Sequence, residues 1–359
     1  MSGWIHRRDA GTPRDCKVSR RLLFLGGLLG NMPLPLTAQG QRLIKPPALR
    51  EGDTVGLITP ASYVSDPDTL FLAERTVAHF GLKMKMGRNV RKRAGYLGGS
   101  VEERVADLHE MFAAEEVKAV FTVRGGYGSG QLLDRIDYDL IRRNPKIFVG
   151  YSDITAMHLA IQKRAGLVTF HGPVVNSRFT EYTQGYFKKA LFSTEPLGVL
   201  TNPPGGDALR PAHLLRTIRG GVARAPLIGG NLTLICMLMG TPYEIETKGK
   251  ILFIEDVGEE PYRVDRMLTQ LRLAGKLDAA AGVIWGECAD CRPAQYAPSF
   301  ESTFSTAEVV QGLLGDLKAP VLSGLTIGHT SDQLTLPEGL MATLDADKGE
   351  LRVEEAGVV

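Results

Sequence analysis

From residue 53 to residue 175, apolar strand-like runs and amphipathic helical runs take turns, and that alternation restricts the fold more than any other feature. "DTVGLITPAS" (53–62) reads as a buried strand, Val55 to Thr59, that enters a loop at Pro60. In "TLFLAERTVAHFG" apolar residues recur at helical spacing, and the segment stops at Gly81, a helix-ending residue. "SVEERVADLHEMFAAEEV" repeats the helical pattern, and "KAVFTVRGGYGSG" is a strand running into a glycine-rich loop. "QLLDRIDYDLIRRNP" reads as a helix, "KIFVG" as a strand, "ITAMHLAIQKRAG" as a helix and "LVTFHGPVV" as another strand. This pattern predicts a parallel sheet with helices on both faces, and in such sheets ligands bind at the carboxyl ends of strands. Three loops stand out on that ground: Pro60 to Ser62, Arg124 to Gly130, and Gly150 to Asp153.

The alternation weakens over residues 176–226, where "TNPPGGDALRP" is the clearest breaker run, and this stretch reads as a linker. It would join an N-terminal α/β domain (44–175) to a smaller α+β domain (227–359). There "LMATLDADKGELRVEE" alternates on either side of an Asp-Lys-Gly turn, the pattern of a hairpin. Residues 1–40 differ from the rest. Arg20-Arg21 precede a short apolar run, Leu22 to Leu29, followed by Ala38-Gln39-Gly40, the parts of a twin-arginine-type export signal. The run is far below the roughly 20 residues of a membrane span. The expected location is therefore the periplasm, without stable membrane insertion, the alternative being the cytoplasm. A chain of 359 residues has room for about two domains. Its net charge of +2 argues against nucleic-acid or membrane-surface binding by bulk electrostatics. Cys288 and Cys291 form a lone C-x-x-C. A structural zinc site wants a second pair, so free or loosely paired thiols are expected and no metal.

The glycine-rich loop does not fit a phosphate-binding template. Gln131 follows Gly130 where a P-loop requires lysine, and no G-x-G-x-x-G register exists. Glycines do let backbone N–H groups approach and face an anion. Ser152 stands between strand and helix in "GYSD", which admits two readings. Ser152 or Asp153 could cap the following helix, or Ser152 could be a nucleophile on a sharp turn, although Ile154 replaces the last glycine of G-x-S-x-G. A nucleophilic hydroxyl needs a base, and the base an orienting group. His6 falls in the leader, His79, His109 and His213 read as surface residues, and His158 as helix packing. His171 in "TFHGP" and His329 in "TIGHTSDQ" both follow strands, and spacing does not choose between them. Glu255 and Asp256 end the strand "KILFIED", where an acid points into a site or merely caps.

Six blocks, "TVRGGYGSGQLL", "FVGYSDITAMHLA", "TFHGPVV", "GGNLTLI", "ILFIEDVGEEPYRVDRML" and "GLTIGH", resemble the LD-carboxypeptidase family of serine peptidases in order and spacing, over about residues 45 to 345. The resemblance implies a Rossmann-like parallel-sheet N-terminal domain plus a smaller C-terminal domain, with the site between them. It implies a triad of Ser152 as nucleophile, His329 as base and Glu255 as the orienting acid. The oxyanion hole would be the backbone N–H groups of Gly126 and Asp153, and Arg124 is a candidate for the substrate's free carboxylate. Asp153 would then cap the helix while its own N–H faces the oxyanion. The implied reaction removes terminal D-alanine from a murein tetrapeptide, with neither metal nor organic cofactor, in an enzyme that is commonly a homodimer. A relative with the same triad hydrolyses an antibiotic nucleotide conjugate and confers immunity. A non-catalytic murein-binding protein on this fold would betray itself by loss of a triad residue, and all three are present.

Overall fold

A computed structural model of the protein describes residues 43–206, Leu209 and residues 211–359; the expected leader lies outside the described residues. The first part of the chain runs β1 (Thr54–Ile58), α1 (Pro67–His79), β2 (Lys83–Met86), α2 (Val101–Ala113), β3 (Val117–Thr122), α3 (Tyr138–Arg143), β4 (Ile147–Gly150), α4 (Thr155–Ala165) and β5 (Phe170–His171). It continues with α5 (Glu181–Phe192), β6 (Gly198–Leu200), β7 (Arg216–Arg219), β8 (Val222–Asn231), α6 (Leu232–Met237), β9 (Ile251–Val257), α7 (Pro261–Leu273) and α8 (Lys276–Ala279). The last elements are β10 (Gly282–Ala289), α9 (Thr306–Leu314), β11 (Val321–Leu325), β12 (Leu336–Pro337), β13 (Met341–Asp345) and β14 (Glu350–Val353).

The expected α/β class is what the chain adopts. The first sheet has the order β12-β5-β4-β3-β1-β2. All its pairings are parallel except that of β12 with β5. Strands buried on both faces need continuous apolar runs rather than alternation, and β4 is buried at all four positions. The helices between them start where the sequence supplies caps. Asp66 accepts the N–H of Asp68 ahead of Pro67 in α1, and Ser100 with Glu103 makes a reciprocal capping box on α2. The second sheet has the order β6-β14-β13-β8-β9-β10-β11-β7. Its centre, β8 to β11, is parallel and its flanks are antiparallel. The expected hairpin is β13–β14.

Two expectations are corrected. The stretch 176–226 is no mere linker: it holds α5, β6, β7 and the start of β8. Thr183, Phe187, Ala190 and Leu191 of α5 are buried at the helical spacing i, i+4, i+7, i+8, a pattern masked by Gly185 and by polar neighbours. "QLLDRIDYDLIRRNP" is not one helix either. A 3₁₀ turn (Ser129–Leu132) precedes α3, because Asp137 accepts the N–H of Leu140 and starts a new helix there.

Candidate active site

Strand β4 delivers the chain to Ser152 through a turn that only certain residues can make. A side chain on Gly150 would come within 2.5 Å of Thr122 Oγ1, so the strand can end tightly only on glycine. Ser152 then adopts φ 64°, in the left-handed region. For a serine this conformation costs on the order of 1–2 kcal/mol, and such strain is typical of an exposed nucleophile on a strand-to-helix turn. Residues Ser152–Ile154 form a single 3₁₀ turn before α4 begins at Thr155.

The expected cap is absent: neither the 3₁₀ turn nor α4 has a side-chain cap. The carboxylate of Asp153 instead accepts the N–H of Ser129 at 2.8 Å, while Ser129 Oγ donates to the Asp153 carbonyl at 2.5 Å. Asp153 therefore ties the nucleophile turn to the end of the glycine-rich loop.

The second sheet brings up the partners. Strand β8 meets α4 where Asn231 N–H donates to Thr155 Oγ1 at 3.0 Å. Its neighbour β9 pairs Asn231 with Glu255, which is fully buried. Glu255 Oε2 lies 2.7 Å from His329 Nδ1, and His329 Nε2 lies 3.0 Å from Ser152 Oγ. The hydroxyl, the imidazole and the carboxylate thus form one hydrogen-bonded run. Gly328 makes it possible: at φ 86° it passes so close to Glu255 that a Cβ would fall 2.0 Å from Oε2. Burial pushes the Glu255 carboxyl above its ordinary range, and its bond to His329 opposes that shift. The edge of the Tyr151 ring packs on the imidazole with centroids 4.8 Å apart.

Geometry decides between the two histidines that spacing left open. His171 is fully buried, neither ring nitrogen has a hydrogen-bond partner, and burial holds it well below an ordinary histidine pKa. His329, not His171, faces Ser152.

The glycine loop flanks the hydroxyl. An imagined Cβ on Gly125 would sit 3.0 Å from Ser152 Cβ, 3.2 Å from its Oγ and 3.3 Å from the Asp153 nitrogen. A side chain at this position would therefore crowd both the Ser152 hydroxyl and the Asp153 N–H, and glycine leaves the two uncovered. Gly126 follows at φ 106°, with Arg124 Nη2 3.8 Å from its own Cβ position. Arg124 itself makes one long bond, 3.4 Å from Nη1 to the Tyr63 carbonyl.

The sequence reading missed the frame behind these loops. Arg104, 1% exposed, donates to the carbonyls of Ser100, Pro60 and Gly128 and to Gln131 Oε1. It lies inside an ordinary amphipathic helix pattern, so nothing in its neighbourhood announces the role. Cys288 and Cys291 are neither free nor loosely paired: they form a disulfide at the end of β10. Among the described residues no group of three or more His, Cys, Asp or Glu is placed to hold a metal, and no helix is long and apolar enough to cross a membrane.

Comparison with known proteins agrees with this architecture. Family models described as the LD-carboxypeptidase N-terminal and C-terminal domains match residues 55–172 and 224–344. The chain is 42% identical over 324 residues to the "probable murein peptide carboxypeptidase" of Bacillus subtilis, covering 88% of this chain and 95% of that protein. It is 30% identical over 335 residues to the microcin C7 self-immunity protein of Escherichia coli, covering 86% and 94%. The solved ligand-free structure of that immunity protein superposes with a TM-score of 0.79 at 28% identity, over 88% of this chain and 100% of the other. The muramoyltetrapeptide carboxypeptidase of Oxalobacter formigenes gives a TM-score of 0.71 at 29% identity, over 84% and 98%.

Proposed function

This chain belongs to the LD-carboxypeptidase family of serine peptidases, and from that premise we propose that it removes the terminal D-alanine from murein tetrapeptides, with Ser152, His329 and Glu255 as its catalytic residues. The observation that carries this reading is the hydrogen-bonded run Ser152–His329–Glu255 beside the glycine-rich loop. His329 Nε2 takes the Ser152 proton as Oγ attacks the carbonyl before D-alanine. Glu255 holds Nδ1–H, which fixes the tautomer and stabilises the imidazolium. The N–H groups of Asp153 and Gly126 receive the oxyanion, each worth about 3 kcal/mol at such sites. His329 then protonates the departing amine, and water hydrolyses the acyl-serine by the reverse use of the same groups. Arg124 takes the carboxylate of the leaving D-alanine.

Incubation with a murein tetrapeptide, followed by mass spectrometry, reads the loss of one alanine. Release by Ser152→Ala as fast as by the wild type would overturn the mechanism. The likeness to the self-immunity protein supports a second reading, hydrolysis of acyl nucleotide conjugates. An acyl-sulfamoyl adenylate in the same assay separates the two, since only the second reading expects its cleavage. Export through the Arg20-Arg21 leader and assembly as a homodimer belong to the same proposal. Export should stop in Arg20→Lys/Arg21→Lys, and light scattering should give twice the chain mass.

A further inference from the structure

Three loops meet beside Ser152, and among the described residues Arg93 and Arg124, which both touch Tyr63, have no acidic partner. The carbonyl of Gly125, the residue lying against Ser152, accepts the N–H of Ser62 at 3.4 Å. Ser62 Oγ in turn accepts the N–H of Tyr127 at 3.0 Å. The next residue, Tyr63, is held from two sides. Arg124 donates to its carbonyl, and the Arg93 guanidinium carbon lies 4.3 Å from its ring centroid. Arg93 Nε is committed to the Gly95 carbonyl at 3.2 Å, and Tyr63 N–H to the Tyr96 carbonyl at 3.4 Å.

Of the other cations on the Arg93 loop, Arg88 pairs with Glu110 and Lys92 with Glu103, while Arg91 is in no ion pair among the described residues. Among the described residues Arg93 and Arg124 make no such pair. Two like charges held around one residue without an acid repel one another, so the arrangement is poised for anions supplied from outside. Stacking on Tyr63 and the fixed Nε orient the Arg93 plane and leave both terminal nitrogens for a bidentate carboxylate. Arg93 is exposed.

A murein stem peptide offers two such carboxylates. One is the terminal group of D-alanine, just beyond the scissile bond. The other is the free α-carboxylate of the γ-linked glutamate, about two residues or ~7 Å before that bond. The contacts Ser152–Gly125–Ser62–Tyr63–Arg93 link the nucleophile to that guanidinium. We propose that Arg93 is a specificity-determining residue that takes this second carboxylate while Arg124 takes the first, so that the enzyme selects stem peptides with a free glutamate α-carboxylate over those in which it is amidated. The assignment rests on the murein reading above.

Two synthetic tetrapeptides, identical except for an α-carboxylate or an α-carboxamide on the glutamate, test it. The wild type should show at least tenfold higher kcat/KM for the acid. In Arg93→Gln that ratio should fall to within about twofold of one, and Arg93→Lys should keep part of it, with thermal melting to verify folding. An undiminished ratio in Arg93→Gln, or a wild type indifferent to the amide, would overturn the proposal. Calorimetric binding of the same peptides to Ser152→Ala needs no turnover and separates the two readings. If the wild type releases D-alanine from neither peptide, the murein reading fails. Equal affinity of Ser152→Ala for acid and amide would sink the Arg93 assignment in either case.

Discussion

Replacing Gly125 by alanine places one methyl group against the Ser152 hydroxyl and the Asp153 N–H. Gly125, unlike Gly126, is not in the left-handed region, so its backbone accepts alanine without conformational strain. The new carbon would stand 3.0 Å from Ser152 Cβ, 3.2 Å from Oγ and 3.3 Å from the Asp153 nitrogen. Contacts at these distances require the neighbours to yield by only a few tenths of an ångström. The stability cost should therefore sit at the low end of overpacking, about 1 kcal/mol, or a few degrees in Tm. Catalysis is more exposed. A carbonyl must come to about 3–3.5 Å from Oγ to react, and a methyl 3.2 Å from Oγ and 3.3 Å from the Asp153 nitrogen crowds that approach. Loss of one oxyanion donor costs about 10²–10³ in kcat, and displacement of the attack geometry adds to it. The assay is D-alanine release under saturating tetrapeptide, paired with a melting curve. A Gly125→Ala protein that melts like the wild type and turns over within about threefold of it would refute the approach of the carbonyl past Gly125 and the role of the Asp153 N–H.

His171→Phe should keep D-alanine release within about fivefold of the wild type, because an unpartnered buried ring can be replaced by an apolar one of similar shape. His329→Ala should lose at least about 10³-fold in the same assay. Glu338 is fully buried, neither carboxylate oxygen has a partner, and burial raises its pKa well above 4.5 against a weaker attraction to Lys250. The unfolded chain releases this proton near 4.5 while the folded one keeps it, so Glu338 lowers stability as pH rises above that value. Melting from pH 4 to 8 should show a smaller decline in Glu338→Gln than in the wild type, and parallel curves would refute the assignment. Arg104→Met should cost about 3 kcal/mol or more, since it strips a charged donor from the buried carbonyls of Pro60 and Gly128. An unchanged urea midpoint would show that the loop frame does not depend on that side chain.

What could be read in the sequence divides along a physical line. Interactions local in the chain left a trace: the apolar runs of β1, β3 and β4, the amphipathic pattern of α2, and the glycine-rich approach to Ser152. The positions of Ser152, Glu255 and His329 became readable together only through family resemblance, because each motif alone is compatible with a capping or surface role. The exclusion of His171 depends on its burial in a fold not visible from spacing. The Asp153 cap failed for a similar reason: a tertiary acceptor role toward Ser129 outweighs the local one. Helix α5 hid because its buried face includes Thr183 and its middle contains Gly185. Arg104 was invisible because three of its four acceptors, Pro60, Gly128 and Gln131, lie on loops distant in sequence and make a buried guanidinium tolerable.

The hydroxyl and its base come from different sheets, with Ser152 following β4 and His329 following β11. During synthesis the first sheet's parallel strands leave the ribosome long before the loop that carries the imidazole. Throughout that interval Ser152 is an ordinary alcohol with no proton acceptor in reach. Hydrolytic competence therefore appears late and all at once, when almost the whole chain has been made and the second sheet has closed against α4. On the proposed triad, a truncated chain, a stalled nascent chain or a fragment ending before His329 lacks the base that Ser152 needs. The order of the motifs along the gene thus acts as a safety catch on the nucleophile.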